Sequence, residues 1–299
     1  MPALETRGVT KSFGGVTALH ELDLTVREGE VFGFLGPNGA GKSTTINIVL
    51  DYLKPTSGSV EVFGIDAQTD PVAVREHVGV LPEGFNVLGE MTGREHLAFA
   101  AESKSASDDP DAILDLVGLT GVGDRSASAY SKGMRQRLAL GMAVVGDPDL
   151  LILDEPTTGL DPNGARFVRD TVRSLSEDGT AVFFSSHILD QVEAVADRVG
   201  ILRQGELVAV DSIDGLRAAT GGGAQLDVTL DTTPDEAALT RVRDLDGVSE
   251  VSADGQTVTV ACENSVKAAV VDALREDGAA VENFETSQTS LDELFAQYT

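Results

Sequence analysis

The 299-residue chain is long enough for one large domain and a small one. Its 49 acidic side chains against 22 basic ones leave a net charge of -27, which argues against a nucleic-acid surface, since that needs basic patches. No run reaches the ~18 apolar residues of a transmembrane helix, MPALETRGVT lacks the features of a secretory leader, and the single cysteine, Cys262, allows no intrachain disulfide and suits a reducing cytoplasm.

In chain order, the first clear strand is VFGFLG (31–36), followed by a helix from Lys42. HVGVLP (77–82) reads as a strand, and helices are expected from Gly93 and Ser131. LLILDEP (150–156), TAVFFSSH (180–187) and RVGILRQGELVAV (198–210) read as further strands, with helices from Gly164 and Asp190. Several are short continuous apolar runs, as expected of strands buried on both faces. Their alternation with helices predicts an α/β domain with a largely parallel sheet over 1–220, carrying a helical subdomain at about 84–145. Gly221-Gly222-Gly223 breaks the composition and sets a boundary. Residues 221–299 then read βαββαβ: QLDVTL, DEAALTRVRDL, a VSEVS/QTVTVA hairpin across Ala253-Asp254-Gly255, SVKAAVVDALRED and AAVENFE. That order predicts a small α+β ferredoxin-like domain, closed by the amphipathic segment SLDELFAQY.

Gly36-Pro37-Asn38-Gly39-Ala40-Gly41-Lys42-Ser43-Thr44 fits GxxxxGK[ST] between a strand and a helix. Glycines there let backbone N–H groups turn inward around the phosphates of ATP, and a helix N-terminus favours anions. Lys42 is expected to bridge the β- and γ-phosphates and the Ser43 hydroxyl to ligate Mg2+. LLILDE ends an apolar strand in two carboxylates, which on its own also describes a solvated turn; with the phosphate loop upstream it points to the ligand crevice. Strand alternation predicts Asp154 and Glu155 on opposite sides. Asp154 is assigned to Mg2+, directly or through water, and Glu155 to the general base.

Together these motifs resemble the ATP-binding cassette ATPases, over roughly residues 4–216. Tyr130-Ser131-Lys132-Gly133-Met134-Arg135-Gln136-Arg137 resembles the family's signature motif, Gly159-Leu160-Asp161-Pro162 its D-loop, and Ser185-Ser186-His187 its switch histidine. Phe13 sits where the family places an aromatic ring stacked on adenine. The resemblance implies that Ser131 and Gly133 bind the γ-phosphate held by the other subunit, so that a homodimer sandwiches ATP, and that Asp161 of the D-loop belongs to the ATP-binding residues. It further implies that His187 donates to the γ-phosphate.

The signature departs from the family in Lys132 and Met134, and Glu83 stands where a glutamine is usual. A carboxylate there is a candidate Mg2+ ligand that also adds charge beside the phosphate. LPE (81–83) resembles cassettes that energise a separately encoded exporter-type permease, and Met91–Leu97 resembles the family's helical region that lines the groove for a permease's coupling helix. The chain is therefore expected at the cytoplasmic face of the membrane, held through that permease. A soluble cassette ATPase acting on ribosomes or DNA is the alternative, disfavoured by a single cassette and an acidic chain. A phosphate-loop kinase would lack the signature, and a pure binding module would lack Glu155. The acidic excess with only six lysines resembles proteins of salt-loving microbes, where the Debye length falls to ~3 Å at 1 M salt.

Overall fold

The computed structural model describes residues 1–219, 224–262, 264–275 and 279–288. The chain divides into two compact units, Met1–Asp211 and a second beginning at Ser212. This division falls before the expected boundary. Gly221-Gly222-Gly223 and SLDELFAQY lie outside the described residues.

The first unit opens with two long strands, β1 (Pro2–Phe13) and β2 (Val16–Arg27), paired antiparallel. Then come β3 (Val31–Leu35), α1 (Lys42–Val49), β4 (Ser57–Val62), β5 (Ile65–Asp66), α2 (Pro71–His77) and β6 (Val78–Leu81). α3 (Gly93–Ser103), α4 (Pro110–Leu116) and α5 (Lys132–Val144) follow, and then β7 (Leu150–Asp154), α6 (Pro162–Glu177), β8 (Ala181–Ser186) and α7 (Leu189–Glu193). The unit closes with β9 (Arg198–Arg203) and β10 (Glu206–Asp211).

Two sheets result. The larger runs β10-β9-β3-β8-β7-β6, parallel throughout except for β10. β3, β7 and β8 are buried at every position, which is why they read as continuous apolar runs. The smaller sheet, β2-β1-β4-β5, is antiparallel and was not expected. Its strands alternate, with Leu22, Leu24 and Val26 buried and the residues between them exposed, so they lack the all-apolar signature of the parallel strands. One core joins the sheets: Leu4, Leu22 and Val62 cluster with Ile46 and Ile48 of α1 and with Phe32, Phe34 and Phe183. Phe32 and Phe183 are register partners on β3 and β8, stacked at 6.1 Å.

RVGILRQGELVAV is not one strand but a hairpin. Gln204 (φ 49°) and Gly205 (φ 85°) both adopt left-handed conformations, the requirement of a tight two-residue turn that matches strand twist. The helix starts are set by caps. Thr92 and Glu95 form a reciprocal capping box on α3, Ser131 caps α5, and Asp161 caps α6 ahead of Pro162.

The second unit contains α8 (Ile213–Ala219), β11 (Ala224–Leu230), α9 (Glu236–Arg243), β12 (Val248–Asp254), β13 (Thr257–Cys262), α10 (Lys267–Arg275) and β14 (Val281–Gln288). Its antiparallel sheet has the order β12-β13-β11-β14, the arrangement expected of a split βαβ unit. The β12–β13 turn sits at Gly255-Gln256, slightly later than expected. Leu226, Val228, Val258, Val260, Val242 and Val270 lead its separate core. Cys262 lies inside that core, where burial pushes its thiol pKa up and leaves it a packing group.

Candidate functional site

Three neighbouring parallel strands, β3, β8 and β7, deliver the central residues to one end of the sheet. The register places Leu35 beside Ser186 and Asp154 beside Ser185, so Gly36, His187 and Glu155 emerge next to one another. Ligands of such sheets bind at this edge.

The phosphate loop leaves β3 at Gly36 and enters α1 at Lys42. Gly41 is the N-cap, with φ 115° and no side-chain cap, so the first-turn N–H groups face no competing side-chain acceptor. A Cβ at Gly41 would also strike Leu19 at 2.7 Å and the Ala18 carbonyl at 2.8 Å. The loop is buttressed from outside as well, because Gly205 N–H donates to the Ala40 carbonyl at 2.9 Å. Pro37, Asn38 and Gly39 are exposed at its crest, and Ser43 is exposed at the start of α1 with Thr44 half-buried beside it. Lys42 is only 6 % exposed; its ammonium donates to the Gly36 carbonyl at 2.7 Å and the Pro37 carbonyl at 3.4 Å.

Asp154 closes β7, and its Oδ1 accepts from the buried Ser185 hydroxyl at 2.5 Å. Glu155 does not continue the alternation of the strand. Its backbone is left-handed (φ 50°), a conformation costing a non-glycine residue roughly 1–2 kcal/mol. Its N–H is held by the Ser185 carbonyl at 3.2 Å and hydroxyl at 3.1 Å. The left-handed turn, rather than strand pleating, is thus what aims the Glu155 carboxylate. That carboxylate is 8 % exposed and has three partners: Lys42 Nζ at 3.5 Å from Oε1, and His187 Nδ1 at 2.8 Å and the Thr158 hydroxyl at 3.0 Å from Oε2. Since a carboxylate only accepts, His187 donates through Nδ1. The Thr157 hydroxyl donates to Gln191 on α7, just past His187.

The signature residues form a second group. Ser131 accepts from Met134 N–H at 3.2 Å as the N-cap of α5, and Gly133 lies half-buried in its first turn. Lys132, the off-pattern residue, lies over the D-loop: a Cβ on Gly159 (φ 70°) would fall 1.9 Å from Lys132 Nζ. Asp161 accepts from Gly164 N–H at 2.7 Å as a helix cap.

The structure therefore gathers Lys42, Asp154, Glu155 and His187, while Ser131, Gly133 and Asp161 cluster separately. Phe13 is 50 % exposed at the end of β1, with Lys11 Nζ 5.0 Å from its ring centre. Glu83 is exposed beyond β6, whose Leu81 pairs with Leu153 of β7, so the chain leaves the sheet beside Asp154. Among the described residues no hydrogen bond or ion pair joins Phe13 or Glu83 to the Lys42–Glu155 group. Sequence reasoning missed Ser185, Thr157 and Thr158 as partners of the carboxylates and the switch helix; only strand register and the turn at Glu155 bring them there.

A protein-family model described as ABC transporter matches residues 19–158. The chain is 35 % identical over 304 residues to the daunorubicin resistance ATP-binding protein DrrA3 of Streptomyces coeruleorubidus, covering 99 % of this chain and 96 % of that one. It is 37 % identical over 220 residues to the bacitracin transport ATP-binding protein BcrA of Bacillus licheniformis, covering 72 % and 71 %. A solved structure described as the ATP-binding subunit of an ABC transporter superposes with a TM-score of 0.68 at 28 % identity, over 73 % of this chain and 93 % of that one. A nucleotide-free ATP-binding cassette from an ABC transporter gives 0.64 at 27 % identity, over 71 % and 92 %. With the phosphate loop, the strand-end carboxylates and the switch histidine meeting at one edge of such a cassette, the chain belongs to the ABC transporter family as an ATP-binding and ATP-hydrolysing subunit.

Proposed function

We propose that two copies of this chain sandwich ATP between them and drive a membrane permease that exports its substrate. The observation carrying this reading is the Glu155 carboxylate, held by Lys42 and His187 at the edge of the phosphate loop. Export is supported by relatives named for daunorubicin resistance and bacitracin transport. No helix among the described residues is long and apolar enough to cross a membrane. The DNA or ribosome alternative finds no support among these relatives.

In this reading Lys42 and the amides of Gly39 to Thr44 hold the phosphates, with Gly36 and Asn38 shaping the loop. Phe13 stacks on adenine. Glu155 takes the proton from the attacking water, and His187 fixes both that carboxylate and a phosphate oxygen. Ser131 and Gly133, at the N-terminus of α5, meet the γ-phosphate bound by the other copy, with Asp161 at the same interface.

Among the described residues no group of three or more His, Cys, Asp and Glu is gathered to cage a metal. The donors this reading assigns are the Ser43 hydroxyl, the Asp154 carboxylate and Glu83, two residues past the end of β6. Such a hard-oxygen set suits Mg2+, which keeps several waters and shares phosphate oxygens. When bound, the ion would offset phosphate charge.

The high negative charge supports a chain adapted to molar salt, which screens repulsion between the copies. The test is Glu155→Gln, which keeps the size but cannot accept a proton. In MgATP and molar KCl it should accumulate as an ATP-bound dimer by light scattering, with hydrolysis down by ~10²–10⁴-fold. An inactive variant that binds ATP yet stays monomeric would refute the sandwich. Near-normal turnover would remove Glu155 as base.

A further inference from the structure

Two groups donate to Glu155 Oε2, His187 and Thr158. Resting on the reading of Glu155 as the base, we propose that Thr158 is a positioning residue that holds this carboxylate in its working orientation.

The Thr158 hydroxyl lies 3.0 Å from Oε2, beside His187 Nδ1 at 2.8 Å and across the carboxylate from Lys42 at 3.5 Å from Oε1. Lys42 and His187 both have work at the phosphates in the proposed mechanism, so their hold on the carboxylate changes as ATP is bound and split. Thr158 has no such second task. It belongs to the same short turn as the base, closed by Thr158 N–H donating to the Glu155 carbonyl at 3.1 Å. The turn is pinned on both sides of the hydroxyl. Thr157 is tied to Gln191, and Gly159 is covered by Lys132. A β-branched side chain on a fixed backbone has few χ1 choices, so the donor stays put. A base must present its lone pair within tenths of an ångström of the attacking water's position, and small misplacements cost large factors in rate.

The full chain is purified as Thr158→Val, Thr158→Ala and Thr158→Ser, with Glu155→Gln as a control. ATP affinity, ATP-dependent dimer formation and kcat are measured for each. Valine and alanine should lower kcat about tenfold, with KM and nucleotide affinity as in the parent and ATP-dependent dimer formation no weaker, and serine should restore kcat because it keeps the donor. A merely structural role would instead weaken nucleotide binding or dimer formation, or leave serine as impaired as valine. Either result overturns the proposal, as does parental kcat in both the valine and alanine variants. If valine disrupts folding, alanine decides; loss of nucleotide binding in both also overturns it. The base assignment is read from Glu155→Gln alone. Background hydrolysis there keeps it standing whatever Thr158 shows, and near-normal turnover removes it and the Thr158 role together.

Discussion

The two units of this chain treat buried polar groups in opposite ways. In Met1–Asp211 the core edge takes in Lys42, Asp154, Glu155, Ser185, Ser186 and Thr157, each shielded from water. In the second unit every described residue that is fully buried is apolar or Cys262. Burying a polar or charged group costs free energy unless partners offset it. The first unit supplies those partners from three adjacent strand ends and a loop, and that is where the chemistry sits. The second has no such arrangement among its described residues.

The sharpest attack on this contrast is Lys42→Ala. It removes the point charge of the phosphate cradle and the lysine partner of Glu155. ATP hydrolysis should fall to background, checked by phosphate release. Ordinary turnover would mean that the buried charges serve packing in the first unit too.

A weaker perturbation probes the other side. Leu226→Ala empties a fully buried position in the second core and should cost that unit about 2–5 kcal/mol. ATP affinity should remain parental, measured by equilibrium binding at a temperature where the first unit is folded. Lost affinity would show that the units are not separable in function.

The smallest effect concerns salt. For its length, the second unit carries the larger acidic excess. Raising KCl from dilute buffer toward 2 M should therefore lift its thermal transition by a few degrees more than that of the first unit, since ~1 kcal/mol moves a domain of this size by about 4–8 °C. Scanning calorimetry would resolve the two transitions, and equal or absent shifts would undo the link between charge and salt.

Legibility in the sequence followed the same division of labour. VFGFL, LLILD and AVFFSS were readable because strands buried on both faces leave continuous apolar runs. The loop after the first was readable because its glycines and lysine follow a spacing that phosphate binding demands. The β1–β2 pair was not, since half-polar strands look like loops when neither sheet partner is known. The Gln204-Gly205 turn hid inside an apolar run. At the site, residue types revealed Glu155 and His187, but not the left-handed backbone that turns Glu155 toward its partners. The bonds of Thr158 and Ser185 to the carboxylates were hidden for a related reason: a hydroxyl becomes informative only when register or a turn puts it against a carboxylate.

The hydrogen bond from Gly205 to Ala40 sets a lower limit on the length of a working fragment. The nucleotide motifs span only 36–187 and the family model ends at 158. Yet the middle of the phosphate loop leans on a backbone amide almost fifty residues beyond that end. A piece cut to the motifs would keep the phosphate loop, the strand-end carboxylates and His187 and lose the brace that gives the loop its shape. The smallest portable form of this cassette therefore runs through the β9–β10 hairpin, to the point where the first unit itself ends.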